Sequence, residues 1–493
     1  HKWGLVGYKI SAFQRFFNLI GYTSVFDNPD SWEGWHWGAT HTYGFYWRLG
    51  MPEPYDMLED GLKNAEMVVY WSNDPETTRG VYTGQDSAMW RQWLKRKGVK
   101  MVVIDPYQNS TASPMDAKWL APRPGTDAAL ALAIAYTWIK EGTYDKAYVA
   151  DRTVGFESFR RYVMGEEDGH PKTPAWAAEE SGVPVRTIVA LARDWARLRT
   201  MLGAGARGGE GGACRQAYAT EWARLMVLLQ AMQGLGKPGR GIWGTAMGAP
   251  RNNDVYFPGY GDPDGQIARS RAARNVPQNP VQQRLYRLLM PEAVLGKPVS
   301  WLGETFCNRS LEQQFKPFAY PMPGNSPVKM FYRYGGSFPG TMADTSKWAR
   351  MYQSPNLECV VNQDCWWSSE TPYADIILPA CTQLERDDIG EWGEPGGQTK
   401  GGSSGCNFRV IVRMKKCVEP LGQSRSDYDI FSALAGRLGV EQEYTEGNTA
   451  LDWARKIYAI SDLPKYISWE EFDRKGYYII PLPDDYRPAP ALR

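Results

Sequence analysis

"AEMVVYWSNDPETTRG", residues 65–80, is the stretch on which the fold turns. A short apolar, β-rich run stops abruptly at Ser72-Asn73-Asp74-Pro75, and Thr77 and Thr78 then stand where a helix can be capped. Downstream, "SAMWRQWLKRKG" (87–98) has helical spacing with Gly98 as its stop, and "VKMVVIDP" (99–106) is a second buried strand. Strand, loop, helix and strand within about forty residues make a βαβ unit, whose right-handed crossover renders the two strands parallel. Ligands of such sheets bind at the carboxyl ends of the strands, which is where Ser72, Asn73, Asp74 and Asp105 lie.

The region has no G-x-G-x-x-G, so the backbone cradle of a simple dinucleotide protein is missing and polar side chains must replace it. Asp105 is suited to ribose hydroxyls, and Gly125-Thr126-Asp127 offers a turn plus a carboxylate able to pair with the edge of guanine. A plainer alternative stands beside this one: Asp105-Pro106 ends a strand and Thr126-Asp127 caps the helix from 128. Much later, "KMFYRYGGSF" (329–338) is a strand running into a glycine turn at Gly335. "LECVVNQDCWWSSETPYADIILPACTQLER" (357–386) adds two apolar strands joined through polar residues, with Asp364 where the first ends. Two such halves in one α/β chain imply two ligands, or one ligand with two nucleotide ends.

Bulk properties narrow the partners. A chain of 493 residues exceeds one ordinary core, so two or more domains are expected. Lys and Arg number 56 against 55 Asp and Glu, a formal charge of +1, which supplies no field to gather nucleic acid or anionic lipid. The longest apolar run, "AALALAIAY" at 128–136, is too short to span a membrane. Seven cysteines are scattered without any C-x-x-C, which excludes a zinc ribbon or a local iron–sulfur motif and suits free thiols in the cytoplasm. The chain opens at His1 without an initiator Met, as an internal piece of a longer polypeptide would.

Several blocks then fall into a known pattern. "VYWSNDPETT", "VVIDPYQNSTA", "PRPGTDAALALAIAYTWIKEGTYDKAYVADRTVGFESF", "QAMQGLGKPGRGI" and "SSETPYADIILPACTQLER" resemble the successive motifs of molybdopterin oxidoreductases of the dimethyl sulfoxide reductase type. "NPDSWEGWHWG", "WRLG", "YDMLEDGLKNAEMVVYWSNDPET", "YFPGY" and "SDLPKYISWEEFDRKGY" are most similar to large subunits of the pyrogallol–phloroglucinol transhydroxylase and resorcinol hydroxylase branch, which act on phenols. The resemblance implies bis-molybdopterin guanine dinucleotide carrying molybdenum, or tungsten, held between two Rossmann-like doubly wound domains. It implies a discontinuous first domain at 1–40 plus 325–470 and a second at 41–324. Residues 471–493 would lead toward a C-terminal barrel domain that this stretch lacks, as it lacks the family's N-terminal part. Iron–sulfur clusters in this branch sit on a separate small subunit, so such a partner is implied too.

The resemblance also distributes roles. Ser31 of "NPDSW" takes the metal-ligand position, and Asp30 before it handles protons. Trp32, Phe306 and Glu210 take positions beside the phenolic ring, where aromatic faces bind by offset stacking, and Tyr260 of "YFPGY" faces the substrate hydroxyl. Ser72, Asn73, Asp74, Asp105, Gly125, Asp127, Gly335 and Asp364 fall to the two nucleotide ends. Turn statistics alone would make Ser31 a helix cap and Tyr260 an ordinary loop tyrosine, while His36 and His41, five residues apart, could be ligands but by the resemblance are packing or substrate contacts. The chain departs from the transhydroxylase pattern at Glu210, where the family has tryptophan, and at Pro395 and Gln398 of "IGEWGEPGGQ", where it has cysteine and tyrosine lining the site. The family's catalytic histidine belongs just before "HKWGLVGY". Hydroxylation, dehydroxylation or transhydroxylation of a phenol is therefore the expected activity. A non-redox hydratase, which in this family places cysteine at the metal, and a metal-free scaffold subunit are the alternatives.

Overall fold

The computed structural model describes residues 4–7, 12–26, 33–43, 57–78, 86–204, 212–242, 252, 254–258, 272–303, 315–391 and 409–486. In chain order the strands are β1 (Ser24–Phe26), β2 (Met67–Trp71), β3 (Lys100–Ile104), β4 (Lys118–Leu120), β5 (Thr200–Gly203), β6 (Arg284–Tyr286) and β7 (Val299–Leu302). They continue as β8 (Pro317–Tyr320), β9 (Met330–Tyr334), β10 (Cys359–Asp364), β11 (Ile376–Pro379), β12 (Asp388–Glu391), β13 (Val410–Met414) and β14 (Tyr477–Ile479). The chain divides into two compact units. One comprises His1–Asn28, Arg251–Thr305 and Arg309–Pro483, the other Pro29–Pro250, Phe306–Asn308 and Asp484–Arg493.

The second unit is built on a parallel sheet in the order β4-β3-β2-β5. Every residue of β2 is buried, because MVVYW is apolar toward both faces and a parallel sheet is covered on both. The helix Asp86–Arg96 makes the crossover from β2 to β3, and Gly98 follows it in the left-handed region at φ +76°. The helix Asp127–Glu141 packs against Pro174–Ser181, Val185–Arg197 and Ala219–Met232. Trp35, Trp71, Trp138, Trp195 and Trp222 are buried in one core with it, which accounts for much of the tryptophan in the chain. From β2 the chain moves outward through β3 to β4. On the other side of β2 lie β5 and, beside Leu202, a parallel bridge to Ile242. The direction of winding thus reverses between β2 and β5.

The first unit carries a parallel sheet β11-β10-β9, an antiparallel sheet β12-β13-β14, a parallel ladder β1-β6 and an antiparallel ladder β7-β8. The stretch 329–338 contains β9, after which the chain turns through Gly335 at φ 61° and Gly336 at φ 91°. Residues 357–386 supply β10 and β11, as their apolar runs require. A charged cluster lies inside this unit. Asp388 accepts the N–H groups of Val6 and Gly7, each at 2.9 Å, and lies 3.8 Å from Arg386, whose guanidinium is 3.3 Å from Asp427. Gln363 donates to Asp427 at 2.8 Å. Burial pushes the Asp427 carboxyl up to about 6 in spite of Arg386.

The mixed α/β fold with parallel sheets agrees with the sequence. The antiparallel sheet and the two short ladders were not anticipated, since their strands are short and pair across long separations. Among the described residues no helix is long and apolar enough to cross a membrane.

Candidate functional site

The winding reverses between β2 and β5, where open α/β sheets leave a crevice beyond the carboxyl ends of the strands, and the parallel strands β2 and β3 both end on that side. Ser72 ends β2 at φ +50°, a left-handed conformation that costs a non-glycine residue about 1–3 kcal/mol and collects at functional sites. Its N–H donates to the Ile104 carbonyl at 2.7 Å, and its hydroxyl accepts from the Ala213 N–H at 2.9 Å. Asn73 is 1% exposed and donates through Nδ2 to the Gly203 carbonyl at 2.7 Å, which fixes the amide's orientation. Its Oδ1 is buried with no hydrogen-bond partner. A buried acceptor left empty costs on the order of 1–3 kcal/mol, and an N–H or O–H arriving with a ligand removes that cost.

Asp74 and Asp105 organise the loop beyond β3. Asp74 accepts from the Thr111 hydroxyl at 2.7 Å and the Thr77 hydroxyl at 2.6 Å. Asp105 accepts from the Tyr107 N–H at 3.3 Å and from Asn109 Nδ2 at 3.2 Å, while Asn109 also donates to the Asn73 carbonyl. Burial raises the Asp105 carboxyl above the ordinary range, against those two donors. Asn109 and Thr111 are therefore parts of the site that the sequence reading passed over. "PYQNSTA" gives no hint that Asn109 reaches back to both strand ends.

Gly125 and Asp127 form the other wall. Gly125 sits at φ +84° with open space where a side chain would be, and its N–H donates to Gln216 Oε1 at 3.0 Å. Gln216 Nε2 in turn donates to Asp127 Oδ2 at 2.6 Å, and Trp71 Nε1 donates to Oδ1 at 2.9 Å. Asp127 is 2% exposed and burial raises its carboxyl above the usual range. Its oxygens thus face Trp71 and Gln216, and the plainer reading describes it in part: it opens the helix Asp127–Glu141, although Thr126 makes no side-chain cap. Gln216 was also missed, because it lies 91 residues from the turn it holds.

In the first unit Asp364 ends β10 and accepts from the Gly336 N–H at 2.9 Å and the Trp366 N–H at 3.2 Å. Gly335 donates to the Gln363 carbonyl at 3.0 Å. Trp366 and Trp367 follow, both about three-quarters exposed. Asp30, Ser31, Trp32, Glu210, Tyr260 and Phe306 lie outside the described residues, as do Pro395 and Gln398. Among the described residues no group of three His, Cys, Asp or Glu side chains could hold a metal ion. His41 stacks edge-on against Trp37 at 4.8 Å.

An open parallel sheet with this winding, its strand ends carrying polar side chains, defines a doubly wound α/β protein. The sequence narrows that class: residues 10–437 match the molybdopterin oxidoreductase family, and the chain belongs to it. It is 47% identical over 100% of its length to the pyrogallol hydroxytransferase large subunit of Pelobacter acidigallici, covering 58% of that protein. It is 34% identical to the dimethyl sulfoxide/trimethylamine N-oxide reductase of Rhodobacter capsulatus, over 80% of this chain and 45% of that one. Its fold is similar to acetylene hydratase from Pelobacter acetylenicus, with a TM-score of 0.53 at 19% identity, covering 99% of this chain and 61% of that chain.

Proposed function

We propose that this chain is part of a molybdenum enzyme that hydroxylates, dehydroxylates or transhydroxylates a polyhydroxybenzene. The observation that carries the reading is the 47% identity, end to end, with a protein named pyrogallol hydroxytransferase large subunit. Membership of the family implies a molybdopterin cofactor with molybdenum. The residues present fit the nucleotide end of such a group: Asn73 offers a buried, unpartnered acceptor, and Gly125 leaves room for close approach.

In this reading Ser72, Asn73, Asp74, Asp105 and Gly125 hold one guanine nucleotide, with Asp127 supporting the turn, and Gly335 and Asp364 hold the other. The domains would follow the family pattern, 1–40 plus 325–470 and 41–324. Ser31 would hold the metal, and Asp30 would carry the proton that accompanies an electron pair. Tyr260 would hydrogen-bond a ring hydroxyl, with Trp32, Phe306 and Glu210 lining the ring pocket. The bound group would supply two-electron redox chemistry. A small iron–sulfur subunit is the proposed partner and the cytoplasm the proposed location. Serine in "NPDSW" disfavours the hydratase alternative, whose family pattern places cysteine there.

The test is elemental analysis and pterin-nucleotide release on natively purified full-length protein, together with any co-purifying subunit. One molybdenum or tungsten with two pterin guanine nucleotides supports the reading and sets up a phenol screen against Ser31→Ala and Asp30→Asn. A folded sample with neither, from a host able to build the cofactor, overturns it.

A further inference from the structure

The segment that begins two residues after Ser31 is held by the backbone of a short turn, and the same turn also touches the candidate nucleotide cradle. Residues Glu33–Trp35 and His41–Tyr43 are helical, and between them His36–Thr40 widens into a π-helical turn, a form that recurs at functional sites. This segment lies against Gly212–Arg215 and against the helix Ala219–Met232. The approach is too close for any side chain on the facing side. A Cβ added at Gly34 would lie 2.4 Å from the Cys214 carbonyl oxygen, and one at Gly38 would lie 2.3 Å from that of Thr220 and 2.6 Å from the Ala223 side chain. Two of those obstacles are main-chain atoms, which cannot swing aside.

The other face of the turn Gly212–Arg215 meets the cradle. Its Ala213 N–H donates to the strained Ser72, and the next residue, Gln216, bridges Gly125 and Asp127. The four residues Ala213–Gln216 therefore touch the strand end, the glycine turn and the segment following "NPDSW". We infer that Ala213–Gln216 is a positioning keystone: it fixes the spacing between the nucleotide cradle and the segment Glu33–Tyr43 that follows Ser31 in sequence, and Gly34 is glycine because only hydrogen fits against Cys214. None of these residues need touch substrate. The inference rests on the function proposed above, and its test separates the two.

Gly34→Ala, Gln216→Ala and the matched control Gly212→Ala, whose added methyl meets open space, are made in the full-length protein with its partner. Each is measured for pterin-nucleotide content, for the metal's paramagnetic resonance signature and for amide exchange across residues 33–43. Gly212→Ala should match the wild type in all three. Gly34→Ala should keep its nucleotide yet shift or lose the metal signature. Gln216→Ala adds no bulk, so it should fold, release nucleotide more readily, and speed exchange at 33–43 by about tenfold, as loss of one or two hydrogen bonds implies. Unchanged exchange and an unchanged metal signature in Gln216→Ala overturn the keystone, and that variant decides the matter if Gly34→Ala does not accumulate. A wild type without metal or pterin sinks the proposed function instead, and the exchange experiment then judges the keystone alone.

Discussion

The two parallel sheets make an instructive pair. The β4-β3-β2-β5 sheet has a fully buried central strand, and at its carboxyl end the carboxyls of Asp74, Asp105 and Asp127 are met by uncharged donors such as Thr111, Asn109 and Trp71, with Ser72 and Asn73 beside them. The β11-β10-β9 sheet has a largely exposed edge strand β11, and what lies buried around it is ionic: Arg386, Asp388 and Asp427, with Arg333 and Glu370 nearby at 3.1 Å. That end leaves the Asn73 Oδ1 acceptor open among the described residues, whereas the ion-paired cluster is mostly spent on internal partners. Neutral hydrogen-bonding groups can wait for a ligand at modest cost, but a buried charge that waits is expensive, so it is paired from the start.

The sharpest way to break this contrast is Asp388→Ala. It strips Arg386 of one buried partner and leaves the N–H groups of Val6 and Gly7 unmet, so denaturant unfolding of the transition that reports on the first unit should lose about 3–5 kcal/mol. A loss near zero would mean the cluster is not internal scaffolding. Next comes pH. Asp427 binds its proton more tightly folded than unfolded. Its contribution is therefore complete below its ordinary value of 3.8 and is lost as pH rises through about 6. Stability measured across that window should fall with rising pH from this group, and Asp427→Asn should flatten the slope. Asn73→Ala should behave differently: about 1–3 kcal/mol of stability is lost because the Gly203 carbonyl is stranded, and nucleotide retention falls with it. Retention equal to wild type would remove Asn73 from the cradle. Smallest of all, Trp366→Ala should change unfolding free energy by no more than about 0.5 kcal/mol, since its ring is 73% exposed.

What could be read from the sequence depended on how local its cause was. The strands at 67–71 and 100–104 and the helix between them follow from apolar runs and a glycine stop, so "AEMVVYWSNDPETTRG" and its neighbours suffice for them. The placement of Ser72 to Asp74 and Asp105 at strand ends follows from the same reasoning. Asp388 lies beyond that reach, because its donors are 382 and 381 residues away and "RDDIGE" gives no sign that the second aspartate is the buried one. Gln216 and Asn109 were hidden for a related reason: a polar residue in a loop looks alike in sequence whether it faces water or bridges two turns. The donors to Asp127 could not be read from the sequence either, since Trp71 and Gln216 approach it only in three dimensions.

The latch between Val6 and Asp388 also bears on synthesis. The ribosome releases Val6 long before its acceptor, and at roughly 5–20 residues per second the interval is roughly 20–75 seconds. During that time Pro29–Pro250 has emerged entire and can complete its own parallel sheet. Leu5, Val6, Ala12 and Phe16, all destined for burial, meanwhile await core partners such as Ile389, Ile411 and Phe431, which are made later. Those four apolar side chains are accordingly ones that a holdase would be expected to shelter during synthesis.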